Sequence, residues 1–80
     1  MDNNFQKIFT IHFPESRIYI EHTFDTLEGK IEKIKDDKDH TLYKMLRKYP
    51  NPEIRFECYK DENCNEILVA LKYLNCKLLN

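Results

Sequence analysis

The sequence predicts an α+β domain: a small three-stranded antiparallel sheet with three helices, in the order ββααβα. Three observations lead there. Apolar and polar residues alternate over residues 5–13 and again over 17–22, with Pro14-Glu15-Ser16 as a turn between them. Apolar residues recur at helical spacing in three later segments. A short alternating run, preceded by Pro50-Asn51-Pro52, separates the second of these segments from the third.

In the first strand the odd positions read Phe5, Lys7, Phe9, Ile11 and Phe13, the pattern of a half-buried strand. In the second, Ile18 and Ile20 share one face and Tyr19 and Glu21 the other, so the two runs form an antiparallel hairpin. Leu27, Ile31 and Ile34 predict a short helix, opened by Asp25 with Glu28 three residues on and weakened by about 1 kcal/mol by Gly29 in its first turn. The charged run Lys35 to Asp39 ends it. Leu42, Met45, Leu46 and Tyr49 predict a second helix, capped by Asp39 or Thr41 and closed by Pro50. Ile54, Phe56 and Cys58 alternate with Arg55, Glu57 and Tyr59 as a third strand. Asn65 then caps a last helix whose apolar stripe is Ile67, Leu68, Leu71, Leu74 and Leu78.

Eighty residues make one domain, residues 1–80, with no linker and no repeat. With a single glycine the chain lacks the material of a phosphate-cradling loop, and a deep cavity would consume much of so small a core, so surface binding or surface chemistry is expected. Thirteen basic and 14 acidic residues leave a net charge of −1, less basic than a dedicated nucleic-acid binder. The charge is uneven: residues 28–49 carry a net of +2 and residues 50–66 a net of −3. No apolar run approaches the roughly 20 residues that span a bilayer, and the start MDNNFQKIF has no secretion signal. A soluble, intracellular protein without a membrane partner is therefore expected. Cys58, Cys64 and Cys76, odd in number and at spacings of six and twelve, fit neither a disulfide framework nor a zinc site and are expected as reduced, partly buried thiols. His12 and His22 with Glu15 and Glu21 define no ligand set of metal spacing, and no nucleophile is paired with a base motif.

The segment Ile8-Phe9-Thr10-Ile11-His12-Phe13-Pro14 followed by Arg17-Ile18-Tyr19-Ile20 resembles the opening hairpin of the GIY-YIG nuclease domain. Thr23 and Thr26-Leu27-Glu28 resemble the lead into that family's first helix, and residues 40–49, HTLYKMLRKY, resemble its second helix. The element order agrees, and the resemblance runs over roughly residues 7–74. It implies phosphodiester hydrolysis with one divalent metal, such as Mg²⁺, held by a glutamate. A tyrosine of the first motif would then help deprotonate water, and an arginine would offset charge on the phosphorane.

The residues depart from that pattern where the chemistry lies. Phe9 stands in place of the first motif's tyrosine and can move no proton. Tyr19 matches the second motif's tyrosine, but Glu21 replaces its glycine. Lys30 stands for the arginine, and Ile34 for a histidine one turn later; His40 matches the family's second histidine. The metal-binding glutamate aligns with Lys72, which would repel a cation, or in a shifted register with Glu66. Phe9, Tyr19, Glu21, Lys30, Ile34 and His40 thus form a vestigial active-site surface with no catalytic set, because such losses act as a unit.

The resemblance therefore implies a non-catalytic interaction module with a protein partner, docking on a mixed-charge surface flanked by Tyr19, His22 and Phe24, with Lys30, Tyr43 and Arg47 as further binding candidates. Lys, Asn and Ile supply 25 of the 80 residues, as in AT-rich genomes, and so short a degenerate nuclease suits a virus, phage or mobile element. One alternative is nucleic-acid binding without cleavage, using Lys30, Lys33, Lys44, Arg47 and Lys48 with Tyr19, Tyr43 and Tyr49 for stacking, provided that Glu28, Glu32 and Asp36 do not interrupt the strip. The other is residual Mg²⁺-dependent cleavage, if Glu66 reaches the surface of Tyr19 and Lys30. Self-association is left open.

Overall fold

A computed structural model describes residues 5–80. Residues 1–4, with which both the domain 1–80 and the stretch read for a secretion signal begin, lie outside the described residues. Strands β1 (Lys7–Phe13) and β2 (Arg17–Thr23) pair antiparallel, with Lys7 opposite Thr23 and Phe13 opposite Arg17. Pro14, Glu15 and Ser16 form the connection, the last two at φ of 69° and 57°. Strand β3 (Glu53–Tyr59) pairs antiparallel with the other edge of β1.

A fourth strand corrects the three-stranded antiparallel expectation. β4 (Lys77–Leu78) runs parallel to β2, so the sheet is mixed, in the order β3-β1-β2-β4. The backbone N–H groups of Lys77 and Leu79 donate to the carbonyls of Ser16 and Ile18, both at 2.8 Å. Asn80 extends the pairing with its side chain, whose Oδ1 accepts from the Ile20 N–H at 2.9 Å while Nδ2 donates to the Ile20 carbonyl at 2.8 Å. Leu78 reads in sequence as the end of a helical stripe, but the helix α3 (Glu66–Lys72) stops six residues before it.

With a strand on each side, β1 is central, and the three helices divide between the two faces of the sheet. Phe9, Ile11 and Phe13 are covered by α1 (Leu27–Lys35) and α2 (Tyr43–Lys48) through Ile31, Ile34, Leu42 and Leu46. On the other face Ile8 and Ile20 pack against Val69 of α3. β1 is therefore buried on both faces rather than half-buried, and it begins at Lys7, leaving Phe5 outside and exposed.

The helix starts differ in detail from the sequence expectation. Thr26, not Asp25, caps α1, its hydroxyl accepting from the Gly29 N–H at 2.9 Å. Asp25 instead accepts from the Thr26 N–H and from Lys33. Neither Asp39 nor Thr41 caps α2; His40 Nδ1 accepts from the Leu42 N–H at 3.0 Å. Asn65 caps α3 as its sequence predicts, accepting from the Leu68 N–H at 3.0 Å.

α3 turns its predicted apolar stripe outward. Val69 is its one buried residue, with Ala70 and Tyr73 packed beside it, while Ile67, Leu68, Leu71 and Leu74 are 73%, 42%, 55% and 74% exposed and Leu78 is exposed as well. Polar anchors at both ends fix the helix in this rotation: Glu66 is bound to His22 of β2, and Lys72 and Tyr73 to Glu57 of β3.

Cys58 and Cys64 form a disulfide, which corrects the expectation of three reduced thiols. The chain after β3 turns back on Asp61, whose carboxylate accepts from the N–H groups of Asn63 and Cys64, and this brings the two Cα atoms within 6.6 Å. A spacing of six hides the turn. Cys76 is a free, half-buried thiol.

Candidate functional site

The hairpin register assembles the surface that the sequence singles out. Phe9 lies opposite Glu21 and Ile11 opposite Tyr19, and in a pleated sheet such partners point to the same side, here toward α1 and α2. Phe9 and Ile34 are core residues and form its floor. The Tyr19 ring packs on that core and meets the His40 ring edge-on, centroids 5.6 Å apart. Burial, with Glu21 nearby, pushes the Tyr19 phenol up from its ordinary value. Lys30 Nζ lies 3.4 Å from Glu21 Oε2. Phe9, Tyr19, Glu21, Lys30, Ile34 and His40 thus meet on one side of the sheet, but as a folded-in cluster in which the imidazole accepts from the Leu42 N–H and the ammonium is already paired. A phosphate would have to displace Glu21 from Lys30.

Other candidates fall elsewhere. His22 points to the opposite face, where its Nδ1 lies 2.7 Å from Glu66, and Phe24 is exposed in the turn before α1. Glu66 and Lys72 belong to α3, across the sheet from Tyr19 and Lys30, so neither register of the alignment brings a ligand to that surface. Glu66 is bound by His22 and Lys60, and Lys72 by Glu57. Among the described residues no three His, Cys, Asp or Glu side chains are grouped to hold a metal. The residues present do not fit the cation that the resemblance implies.

The basic strip splits in two. Its α1 half is neutralised, Lys30 by Glu21 and Lys33 by Asp25 at 3.1 Å, although not by the carboxylates that the sequence points to. Its α2 half is not: among the described residues no carboxylate pairs with Lys44, Arg47 or Lys48. Arg47 donates to the Tyr43 hydroxyl at 3.1 Å and lies over its ring, and Lys48 lies over the Tyr49 ring.

A second polar cluster, which sequence reasoning missed, lies between the sheet and α3. The β1–β3 register shifts so that Cys58 faces Ile8 and Phe56 faces Phe9, leaving Glu57 as the extra residue of a bulge. Its side chain, 4% exposed, accepts from Lys72 Nζ at 2.6 Å, from the Thr10 hydroxyl at 2.8 Å and from the Tyr73 hydroxyl. His12 Nε2 lies 2.7 Å from Thr10 Oγ1. Since that hydroxyl spends its one proton on Glu57, Nε2 is the donor. Burial first, then Arg55, hold the His12 imidazole below its ordinary value. These groups satisfy one another, and the cluster pins α3 to the sheet. Thr10 and His12 sit at even positions of the first alternation, a hint that its polar face is covered too; nothing in sequence marks the bulge.

No family model, curated protein or solved structure matches the chain.

Proposed function

We propose that the protein is a non-catalytic interaction module of GIY-YIG-like element order, and that its partner is a protein. The outward face of α3 carries this reading. Ile67, Leu68 and Leu71 of α3, with Leu74 two residues past its end, are all exposed on one short segment. Single exposed aliphatics are ordinary on a protein surface, but a contiguous group rimmed by charge marks a docking site. The Tyr19 surface supports the non-catalytic part: Phe9 is core, Glu21 holds Lys30, and α3 lies on the far side. The docking surface therefore moves from the Tyr19 side, where sequence reasoning put it, to α3. Paired pull-downs with wild-type and Leu71→Glu baits test it, from a native-host extract supplemented with a differently tagged copy of the chain. Proteins held by the wild type and lost by the variant are expected; identical sets from both baits would overturn the reading.

A second reading, nucleic-acid binding without cleavage, is favoured by one observation, that among the described residues no carboxylate pairs with Lys44, Arg47 or Lys48, beside Tyr43 and Tyr49. A strip of three cations is short for that task, and Glu21 and Asp25 neutralise the lysines that would lengthen it.

A further inference from the structure

We infer that the outer edge of β3 takes an extended segment of a protein partner as an added strand, with a lysine or arginine side chain of that segment seated between β3 and α1. This goes beyond the α3 reading and uses the other side of the sheet. In the order β3-β1-β2-β4, β3 has a strand on one side, and among the described residues no strand lies along its outer edge. Alternate residues of an antiparallel pair turn their N–H and C=O groups away from the partner, so this edge offers donors and acceptors to an incoming backbone. The far side of β2, by contrast, is occupied by β4 and by the Asn80 side chain on Ile20. The bulge at Glu57 interrupts the β3 edge and leaves Glu53–Phe56 as its regular stretch. Edge charges usually repel such additions, but Glu53 and Arg55 bind each other and stand opposite His12 and Thr10, on the face turned from α1.

The face toward α1 sets the chemistry of the segment. Ile54 stands opposite Ile11 and Phe56 opposite Phe9, so both turn to the side of the sheet that α1 covers. A groove of about 210 Å³ opens there, between Glu28, Ile31, Glu32 and Lys35 of α1 and the chain that enters β3 at Pro52 and Ile54. It is smaller than the roughly 300–1,000 Å³ of a small-molecule site and suits a single side chain. A residue added opposite Ile54 shares its face and points into this groove. The walls are apolar, from Ile31, Ile54 and the two prolines, and the rim sets two carboxylates against one ammonium. Lys35 Nζ lies 4.0 Å from Glu32, and among the described residues no cation pairs with Glu28. A long aliphatic stem with a cationic head matches this arrangement, since its methylenes cover the apolar walls while its head stays at the carboxylates. Phe56, 47% exposed, offers its ring to an apolar residue two positions from that cation.

Panning a library of displayed random peptides, each at least as long as β3, on the full chain tests the inference. The enriched peptides are expected to share a lysine or arginine with an apolar residue two positions away. A synthetic copy should shift the amide NMR signals of Glu53–Phe56. Its affinity should fall about tenfold when the cation is replaced by glutamine, and by as much when the backbone nitrogens that face β3 are methylated. Glu28→Gln with Glu32→Gln, both at exposed positions of α1, is expected to keep the wild-type circular dichroism and to lose the preference for the cation. A library that enriches no such pattern would overturn the inference, as would a cation preference that survives in the double variant. Unchanged affinity after methylation would show that no strand is added. Shifts confined to α3 would also overturn it, while leaving the α3 docking reading in place.

Discussion

Lys72 Nζ at the end of α3 lies 2.6 Å from Glu57 Oε1 in the β3 bulge, and the lysine side chain is 61% exposed while the glutamate side chain beneath it is almost fully covered. The pair ties the edge strand to the helix on the outer side, and Thr10 ties it to the central strand beneath. Burial pushes the Glu57 carboxyl up, yet hydrogen bonds from Lys72, Tyr73 and Thr10 outweigh it and hold the group below its ordinary value. A carboxyl depressed in the folded state contributes stability that is present above its unfolded value, about 4.3, and is lost as pH falls through the folded value. The midpoint of thermal unfolding should therefore drop from about pH 5 downward. Glu57→Gln should cost about 2 kcal/mol at pH 7, the scale of hydrogen bonds to a charged group, and should flatten that acid limb. Equal slopes for variant and wild type would show that other carboxylates govern it.

The disulfide closes a short loop between the end of β3 and the approach to α3. A loop of this length constrains the unfolded chain by about 2 kcal/mol in the chain-entropy account. In a domain of this size that corresponds to a fall of roughly 8–16 °C in the unfolding midpoint. Scanning calorimetry with and without dithiothreitol should show it, and Cys58→Ser with Cys64→Ser should reproduce the reduced curve. Cys76→Ser should leave the effect of reductant unchanged; an insensitive wild type would count against the bridge as a stabilising element.

Gly29 answers to its neighbour rather than to helix propensity. A Cβ built there would stand 2.9 Å from Thr26 Oγ1, the atom that caps α1. Gly29→Ala gains about 1 kcal/mol of propensity but displaces a cap of about the same size. A change near zero is expected. In the Thr26→Ala background the crowding is relieved and the same substitution should stabilise by about 1 kcal/mol. Urea unfolding of the four proteins measures the coupling, and strict additivity would show that the cap is not disturbed.

What was legible in the sequence follows from where the physics is local. The hairpin could be read because Pro14-Glu15-Ser16 separates two alternations, and its register alone then brings Tyr19 and Glu21 to one side. The α1 and α2 stripes point inward as their spacing predicts. In α3 the largest apolar stripe is a misleading guide, because Glu66 and Tyr73 are bonded to the sheet and turn Val69 inward instead. Those anchors depend on His22 and Glu57, which are distant in sequence, and Glu57 reaches its place through a bulge that leaves no pattern. β4 spans only Lys77–Leu78, with one asparagine side chain extending it, too short a run for periodicity to register.

The final prediction concerns nucleic acid. Cleavage with Mg²⁺ or Mn²⁺ requires a base, a cation clamp and a metal ligand around one phosphate. Here Phe9 is sealed in the core, Lys30 is held by Glu21, and Glu66 lies on the other side of the sheet bound to His22 and Lys60. Incubation of plasmid or labelled oligonucleotide with either metal should leave it intact, and cutting that EDTA abolishes would contradict this arrangement. Binding is a separate matter, because Lys44, Arg47 and Lys48 remain available on α2. Three phosphate contacts release few counterions, so affinity should be micromolar or weaker and should vanish by about 0.2 M salt. Arg47→Glu should abolish what binding there is, since it removes a cation and its stacking on Tyr43 together. Lys30→Glu should change it little, as that charge is already offset. Anisotropy titrations of duplex and single-stranded DNA at two salt concentrations decide the matter: nanomolar affinity that survives the higher salt would shift the functional reading from α3 and a protein partner to α2 and nucleic acid.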